Sequence, residues 1–313
     1  MDNIAIVAEQ VGVLFALMSV GAGCRLTKLL DDGAVKGIVN ILMLVVTPCL
    51  VADCFNRPFD PERLKSLGAA FIPAFAVHVC LLLCAGACFR RDRENARPVL
   101  RFSAVFSNAG FMGIPLQHAV FGADGVFYGI VYVVVFNIFV WSWGYCSMRG
   151  VSVRARPGAV LKAVLVNPGT IGFAAGMAVF LSPTGLPRAV SVPAGLLAGL
   201  NTPLAMIAIG YYLAGAKPGP VVRLHSAYAA AFMRLVLAPA ALIAALYPLR
   251  HVLDRTMMLA TVTAASAPVA AMTTMFAAKY GRDVDLSVGL VSATTLLSIV
   301  TMPLAVAAAM SVL

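Results

Sequence analysis

Residues Ser107–Leu116 read SNAGFMGIPL and lie near the middle of the fourth of ten long apolar stretches. Pro115 cannot donate a backbone hydrogen bond, and its ring clashes with the preceding turn of a helix. Gly110 and Gly113 remove the side-chain barrier to non-helical backbone. The segment therefore predicts an interrupted helix, which is tolerated inside a membrane only where protein or a water-filled cavity satisfies the freed backbone groups.

The composition around this segment is that of a membrane protein. The 313 residues are 61% hydrophobic and have a mean hydropathy of +0.93, whereas soluble domains are about 45–50% apolar. A helix of about 20 apolar residues spans the hydrocarbon core of a bilayer. We predict an all-α integral membrane protein with ten transmembrane helices, at about 4–26, 36–55, 66–89, 98–122, 124–147, 161–182, 190–213, 224–248, 255–280 and 286–312.

Basic residues alternate between rich and poor loops. The loops after odd-numbered spans hold sixteen Lys and Arg residues, and the loops after even-numbered spans hold six. Because the richer loops stay in the cytoplasm, both termini are predicted to lie outside a cytoplasmic (inner) membrane. The same bias accounts for the net charge of +10 without a nucleic-acid partner.

Two sequence landmarks recur at about half the length of the chain. The pair Thr47–Pro48 in the second span is followed 155 residues later by Thr202–Pro203 in the seventh. A Gly-Xaa-Asp sequence ends the fourth span at Gly122 and the ninth span at Gly281, which is an offset of 159 residues. The similar offsets indicate an internal repeat.

We interpret the chain as two copies of one unit. Residues 1–148 form the first five-helix repeat, residues 149–160 a cytoplasmic linker, and residues 161–313 the second five-helix repeat. Because five is odd, the second copy enters the membrane from the opposite side, which is the inverted arrangement of many transporters.

The ninth span contains a second break, at Ser266 and Pro268. We hypothesise that the two broken spans cross near the middle of the bilayer. Each break creates a new helix N-terminus that carries roughly half a positive charge, and two such ends in one cavity favour an anion. The alternative is that each proline causes only a kink, as prolines do in many membrane helices.

The motif Ser107–Leu116 resembles the fourth-helix signature of the auxin efflux carrier family, which includes plant auxin exporters and bacterial malate and malonate permeases. The chain has no long hydrophilic central loop of the plant type and resembles the short bacterial members. Further residues resemble features of the same family and follow one another in the same order along the chain. They are Asn167–Pro168, Thr202–Leu204, Arg234–Leu235 before Pro239, and Ala267–Pro268 before Lys279–Gly281.

This resemblance implies a scaffold domain, a transport domain with crossed broken helices four and nine, and elevator-type alternating access. The implied fold is that of bile-acid/sodium symporters or sodium/proton antiporters. The resemblance also implies dimers, so the expected partners are a substrate anion, membrane lipid and a second copy of the chain.

The candidate substrate-binding residues lie at the two breaks and at the repeated landmarks. Arg234 is a charge near the middle of the eighth span, so it either meets a bound carboxylate or fixes a network of backbone carbonyls. The side-chain amide of Asn108 can likewise donate either to a bound carboxylate or to backbone carbonyls freed by the break. The full set is Asn108, Gly110, Gly113, Pro115, Ser266, Pro268, Arg234, Thr47 and Thr202.

Four titratable residues are candidates for ion coupling. His78 and His118 could change charge near neutral pH, although a lone histidine on a membrane helix is more often a hydrogen-bonded interior residue. Glu9 and Asp53 lie toward the outer ends of their spans, and hydration at the interface would equally explain them.

No catalytic motif of the hydrolase, zinc-protease or nucleotide-binding type occurs in the sequence, and we expect no enzyme activity, cofactor or metal site. The predicted function is a secondary transporter, or permease, for small organic anions such as malate or malonate. The substrate class follows from the resemblance and the positively polarised crossing. The alternatives are a sodium-coupled symporter of bile-acid type, a membrane-embedded enzyme and a channel.

Overall fold

The structure is a computed structural model, in which residues 2–151, 157–215 and 224–313 are described. Within these ranges all regular structure is helical, as predicted, and the only paired extended residues are Ser107 and Val269. Four basic residues used in the orientation argument lie outside the described residues: Arg154 and Arg156 of the 149–160 linker, and Lys217 and Arg223.

Sixteen α-helices follow one another along the described chain. Single π-helical turns join α2 to α3, α6 to α7 and α12 to α13, and another opens α6; they are Leu42–Val46, Val140–Gly144, Met233–Leu237 and Ala109–Gly113. The α-helices are α1 Asp2–Leu26, α2 Asp32–Ile41, α3 Thr47–Phe55, α4 Pro61–Cys88, α5 Ala96–Val105, α6 Ile114–Phe139, α7 Tyr145–Arg149, α8 Pro157–Leu165, α9 Pro168–Leu181, α10 Arg188–Ala198, α11 Asn201–Ala214, α12 His225–Phe232, α13 Ala238–Leu246, α14 Arg255–Ser266, α15 Met272–Lys279 and α16 Val284–Val312.

Several described helical segments can cross a membrane. Seven are long and apolar enough by themselves, and α8 with α9, which are bent by 50° to each other, make up to eight. The prediction of a multi-pass membrane protein is therefore supported. The seven segments are Val7–Leu26, Asp32–Phe55, Pro61–Cys88, Ala109–Arg149, Arg188–Ala214, His225–Leu249 and Val284–Val312.

The helices of the second and third predicted spans begin before those spans. The spans are predicted at about 36–55 and 66–89, and the helices begin at Asp32 and Pro61. The carboxylate of the residue before each helix accepts a hydrogen bond from its first turn, at 2.7 Å from the Ala34 amide and 2.9 Å from the Glu62 amide. Such capping extends a helix past its apolar run into the polar interface.

The segment Ala109–Arg149 is longer than one membrane crossing. Its 41 residues would extend about 60 Å at about 1.5 Å per residue, roughly twice the hydrocarbon thickness. The segment is kinked at Gly122, where φ is 63° and ψ is −153°, and Gly281 after α15 also has a φ of 63°. This left-handed backbone favours glycine, so both glycines of the repeated landmark lie at left-handed turns.

The helices divide into two groups. In the first group, α1 packs against α11, and α3 packs against α9 and α10. In the second group, α6 packs against α4 and α14, α5 against α12, and α14 against α13 and α16. The groups meet where α1 contacts α16 and where α3 contacts α6. Both interrupted segments belong to the second group.

The contact between α1 and α11 depends on two glycines that face each other's helix. A Cβ at Gly21 would overlap the backbone carbonyl of Ile207, and a Cβ at Gly210 would overlap that of Met18. In a membrane, where lipid is as apolar as the side chains, close backbone approach at small residues is a main source of helix association. The pair therefore fixes the spacing of the first helix group.

We expect Gly21→Ala and Gly210→Ala each to destabilise the protein by about 1–3 kcal/mol, because an added methyl in a filled contact forces the backbones apart. Thermal unfolding in detergent measures the change. Gly12→Ala on α1 is the matched control, since a Cβ there has no neighbour within 4 Å. Equal unfolding temperatures for all three variants would rule out this account of the contact.

Candidate functional site

The two interruptions lie against each other. Helix α5 ends at Val105 and α14 ends at Ser266, and the extended residues after them form an antiparallel bridge. The amide of Asn108 donates to the carbonyl of Pro268 at 2.7 Å, and the amide of Ala270 donates to that of Phe106 at 2.9 Å. We call residues 106–108 and 267–271 the crossover.

The sequence explains one break directly and the other only in part. Ala267 precedes a proline and is extended, with φ −62° and ψ 148°, as residues before proline prefer. In the first break, the non-helical residues are Phe106–Asn108 and not the glycines or Pro115. Pro115 follows the π-helical turn Ala109–Gly113 at the start of α6. The interruption predicted for the segment is therefore present, and it precedes the glycines and Pro115.

Each break leaves one helix N-terminus at the crossover. Five helices that start in loops are capped by an Asp or Asn side chain, namely α2, α4, α9, α14 and α16, whereas α5, α10 and α12 have no side-chain cap. Neither the turn that begins at Ala109 nor α15 has a side-chain cap. Because the first N–H groups of a helix lack intrahelical partners, both ends are available to an acceptor.

Polar groups next to these N-termini also lack partners in the described part of the chain. Asn108 is only 6% exposed, and its side chain makes no hydrogen bond to a described residue. The hydroxyls of Ser107 and Thr273 are buried without a described partner. Buried polar atoms in native proteins are nearly always hydrogen-bonded, so these groups have unused hydrogen-bonding capacity at the crossover.

The C-terminal sides of the breaks are occupied by Arg234. The side chain is fully buried, and its two terminal nitrogens each donate at 2.5 Å, one to the carbonyl of Val105 and one to that of Ala265. A cation at a helix C-terminus is favourable because the dipole is negative there. Of the two roles considered for Arg234, the geometry is that of the network of backbone carbonyls.

The glycines of the signature have different surroundings. A Cβ at Gly113 would lie 3.4 Å from the Cα of Ala264, so Gly113 lies where α14 passes close by. A Cβ at Gly110 has no neighbour within 4 Å. Gly110 therefore borders open space beside the first N-terminus, whereas Gly113 belongs to the packing of the crossed segments.

The remaining predicted binding residues are dispersed. The hydroxyl of Ser266 donates to the carbonyl of Thr263 in its own helix at 2.8 Å. The hydroxyl of Thr47 donates to Asn201 at 3.3 Å, so the two Thr-Pro landmarks are neighbours in the first helix group. Thr202 lines a cavity of about 180 Å³ outside the crossover.

The four coupling candidates are also separated. Asp53 and His118 line the same cavity as Thr202. Glu9 is exposed on α1. His78 is buried, with its Nδ1 2.7 Å from the carbonyl of Ala74 and its ring stacked on Phe139 at a centroid distance of 5.3 Å. His78 is thus an interior histidine of the kind considered as the alternative.

Two buried residues that hold the crossover together were not predicted. Gln117 donates to the carbonyl of Ala260 at 2.8 Å and joins α6 to α14. Thr294 on α16 accepts a hydrogen bond at 3.2 Å from the amide of Val269, inside the second break. Gln117 directly follows the signature and is polar in an apolar run, whereas nothing in the sequence distinguishes Thr294.

We expect Thr294→Val to destabilise the protein by about 1–3 kcal/mol, since it leaves the buried amide of Val269 without an acceptor. Thr295→Val is the control, because its buried hydroxyl bonds only the carbonyl of Val291 in its own helix. Urea or thermal unfolding of both variants in detergent makes the comparison. Equal loss of stability in the two variants would contradict a role for Thr294 at the break.

A family model described as membrane transport protein matches the chain in two segments, residues 6–159 and 152–306. The first match contains the break at Phe106–Asn108, and the second contains Arg234 and the break at Ala267–Ala271. Among curated proteins no sequence matches the chain.

Proposed function

The chain belongs to the membrane transport protein family, of the auxin efflux carrier type, and on this premise we propose that it is a secondary active carrier for small organic anions. The cargo we propose is a mono- or dicarboxylate such as malate or malonate. The protein would carry it across the cytoplasmic membrane without enzyme activity.

The observation that carries this proposal is the pair of uncapped helix N-termini at the crossover, next to the side chain of Asn108. Oriented N–H groups and the helix dipoles favour negative charge, and an amide side chain can donate to a carboxylate oxygen. The guanidinium of Arg234 lies on the opposite, C-terminal ends of both breaks. The carboxylate would bind on the N-terminal side, against residues that follow the breaks.

The proposed movement is elevator-type alternating access. We propose that the second helix group, which holds the crossover, moves against the first group, which is fixed by the α1–α11 contact. In full, the architecture would be ten spans in two inverted repeats, 1–148 and 161–313, joined by a cytoplasmic linker at 149–160, with both termini outside. The left-handed turns at Gly122 and Gly281 and the contact between Thr47 and Asn201 support this repeat. Two copies would associate in the lipid bilayer.

Charge movement in liposomes on a solid-supported membrane tests the function. The panel is malate, malonate, succinate, lactate, indole-3-acetate and taurocholate, each with and without a proton or a sodium gradient, and counterflow of labelled malonate detects electroneutral exchange. Saturable transport of a small acid is the expected result. Taurocholate transport that requires sodium would instead favour the bile-acid symporter reading, and no transport with any acid in either assay would contradict the proposal.

A further inference from the structure

Arg57 lies in the loop that joins α3 of the first helix group to α4 of the second, and its contacts fix it to the first group. Its Nε donates at 2.7 Å to the carbonyl of Cys54 in α3. The side chain of the neighbouring Asn56 accepts a hydrogen bond at 2.9 Å from the amide of Leu186, between α9 and α10. A cation at this end of α3 also faces the negative end of the helix dipole. The guanidinium is therefore held at the end of α3.

The guanidinium of Arg57 also reaches across the group boundary to α6. Its Nη1 donates to the carboxylate of Asp124, and the guanidinium lies over the ring of Phe127, 4.7 Å from the ring centre. The Arg57 side chain is only 16% exposed. Ion pairs between fully exposed side chains contribute little, whereas a cation that is largely withdrawn from water and lies over an aromatic ring is held more strongly. Arg57 thus links the first group to the second at the place where α3 meets α6.

The same carboxylate has a second partner that does not cross the boundary. Arg63 on α4 donates to Asp124 at 2.9 Å, and α4 packs against α6 within the second group. If the second group moves as one body, the contact of Arg63 with Asp124 is kept. The contact of Arg57 with Asp124 has to break in the same movement. The two arginines therefore form a matched pair for an experiment.

The apolar part of this boundary lies beside the ion pair. Phe55 of α3 packs on Phe127 of α6 at a centroid distance of 4.6 Å, and such apolar contact is non-directional. The ion pair, in contrast, requires one arrangement of its two side chains. Cys54, next to Phe55, is buried, and its thiol interacts electrostatically with both Arg57 and Asp124. A native thiol is therefore buried close to the pair.

We propose that the ion pair between Arg57 and Asp124 holds the two helix groups in the described arrangement and breaks each time they move apart. The inference rests on the proposed function for the movement itself, whereas the contribution of the ion pair can be measured without a substrate. Removal of the pair should raise the population with an open boundary by about 3–10-fold, as expected for one partly enclosed ion pair with a cation–π contact.

The rate at which N-ethylmaleimide alkylates Cys54 in the purified protein, followed by peptide mass spectrometry, tests this proposal. Arg57→Gln and Asp124→Asn should each raise the rate by about 3–10-fold, because the buried thiol reacts when the boundary opens. The two lost charges act in opposite senses on the reactive thiolate, since a cation favours it and an anion disfavours it. A higher rate in both variants therefore reports opening of the boundary.

Arg63→Gln is the matched control, because it removes an ion pair to the same carboxylate within the second group, and it should react at the wild-type rate. Cys146 is an internal control in every variant, since it is buried on α7, which packs against α5 and α15. The double variant Arg57→Gln/Asp124→Asn should react no faster than Asp124→Asn, because both changes remove the same contact.

A wild-type Cys54 rate in Arg57→Gln, an equal rise in Arg63→Gln, or rates that multiply in the double variant would each overturn the proposal. Failure of the proposed function can be told apart from failure of this inference. A wild-type protein that transports no acid in liposomes would end the proposed function, whereas alkylation of Cys54 needs no substrate and decides the role of the ion pair by itself.

Discussion

Replacing Arg234 with methionine is expected to destabilise the protein by about 3–5 kcal/mol, because two buried hydrogen bonds from a charged donor are lost. The guanidinium is the hydrogen-bond donor to the carbonyls of Val105 and Ala265, which end the two half-helices at the crossover. Methionine fills much of the volume but leaves both carbonyls without a donor, and each loss costs about 1.5–3 kcal/mol when the donor is charged. Thermal unfolding in detergent measures the effect.

Arg255→Met is the matched control for this prediction. Arg255 also donates to a backbone carbonyl, that of Met310 at 2.8 Å, but the contact is exposed, so water replaces the lost donor. Arg234→Lys should lie between methionine and wild type, because an ammonium keeps the charge without the planar fork that reaches two carbonyls. Wild-type unfolding of Arg234→Met would show that the crossover does not depend on this contact.

The second large effect is expected from Gly110→Leu, which should abolish transport while leaving stability nearly unchanged. A side chain at this position enters the open space next to the N-terminus at Ala109, where the substrate carboxylate is proposed to bind. Leucine also favours helix over glycine, so the variant should fold. Solid-supported-membrane currents and counterflow give the transport rate, and thermal unfolding gives the stability.

Gly37→Leu on α2 is the control for this substitution, since that glycine is similarly half-buried with no atom near its Cβ position. Normal transport by Gly110→Leu would place the substrate away from the crossover.

Asn108→Ala should weaken apparent substrate affinity by about 10–100-fold, which corresponds to one hydrogen bond to a charged group.

Much of the fold could be predicted from the sequence because lipid imposes simple rules. Long apolar stretches and the alternation of basic loops led to the membrane assignment, and Ala267–Pro268 led to the second break. The helices begin at Asp32 and Pro61, before the predicted spans, because capping by Asp31 and Asp60 extends them past their apolar runs. A hydropathy pattern contains no such information.

The candidate site was only partly predictable. Asn108 and Pro268 stand out in their own spans, but the non-helical residues Phe106–Asn108 depend on pairing with residues 268–270 across the crossover. Arg234 could be recognised as a buried charge, whereas its acceptors could not, since its two carbonyls come from other segments. The role of a residue at a crossing is set by tertiary partners and not by local spacing.

The cavity lined by Asp53, His118 and Thr202 also could not be predicted from local sequence. Asp53 and His118 each qualified as a coupling candidate, together with Glu9 and His78, and sequence gave no reason to pair any two of them. Burial and stacking now separate His78 from this set. The contact between α3 and α6 brings Asp53 and His118 to one cavity.

A cryo-EM structure of the protein with its transported acid bound would show whether the substrate carboxylate binds at the crossover. Density for the acid is expected beside Asn108, within hydrogen-bond distance of the backbone amides that follow Asn108 and Ala271. Density in the cavity of Asp53 and His118, or against the guanidinium of Arg234, with an empty crossover, would contradict it.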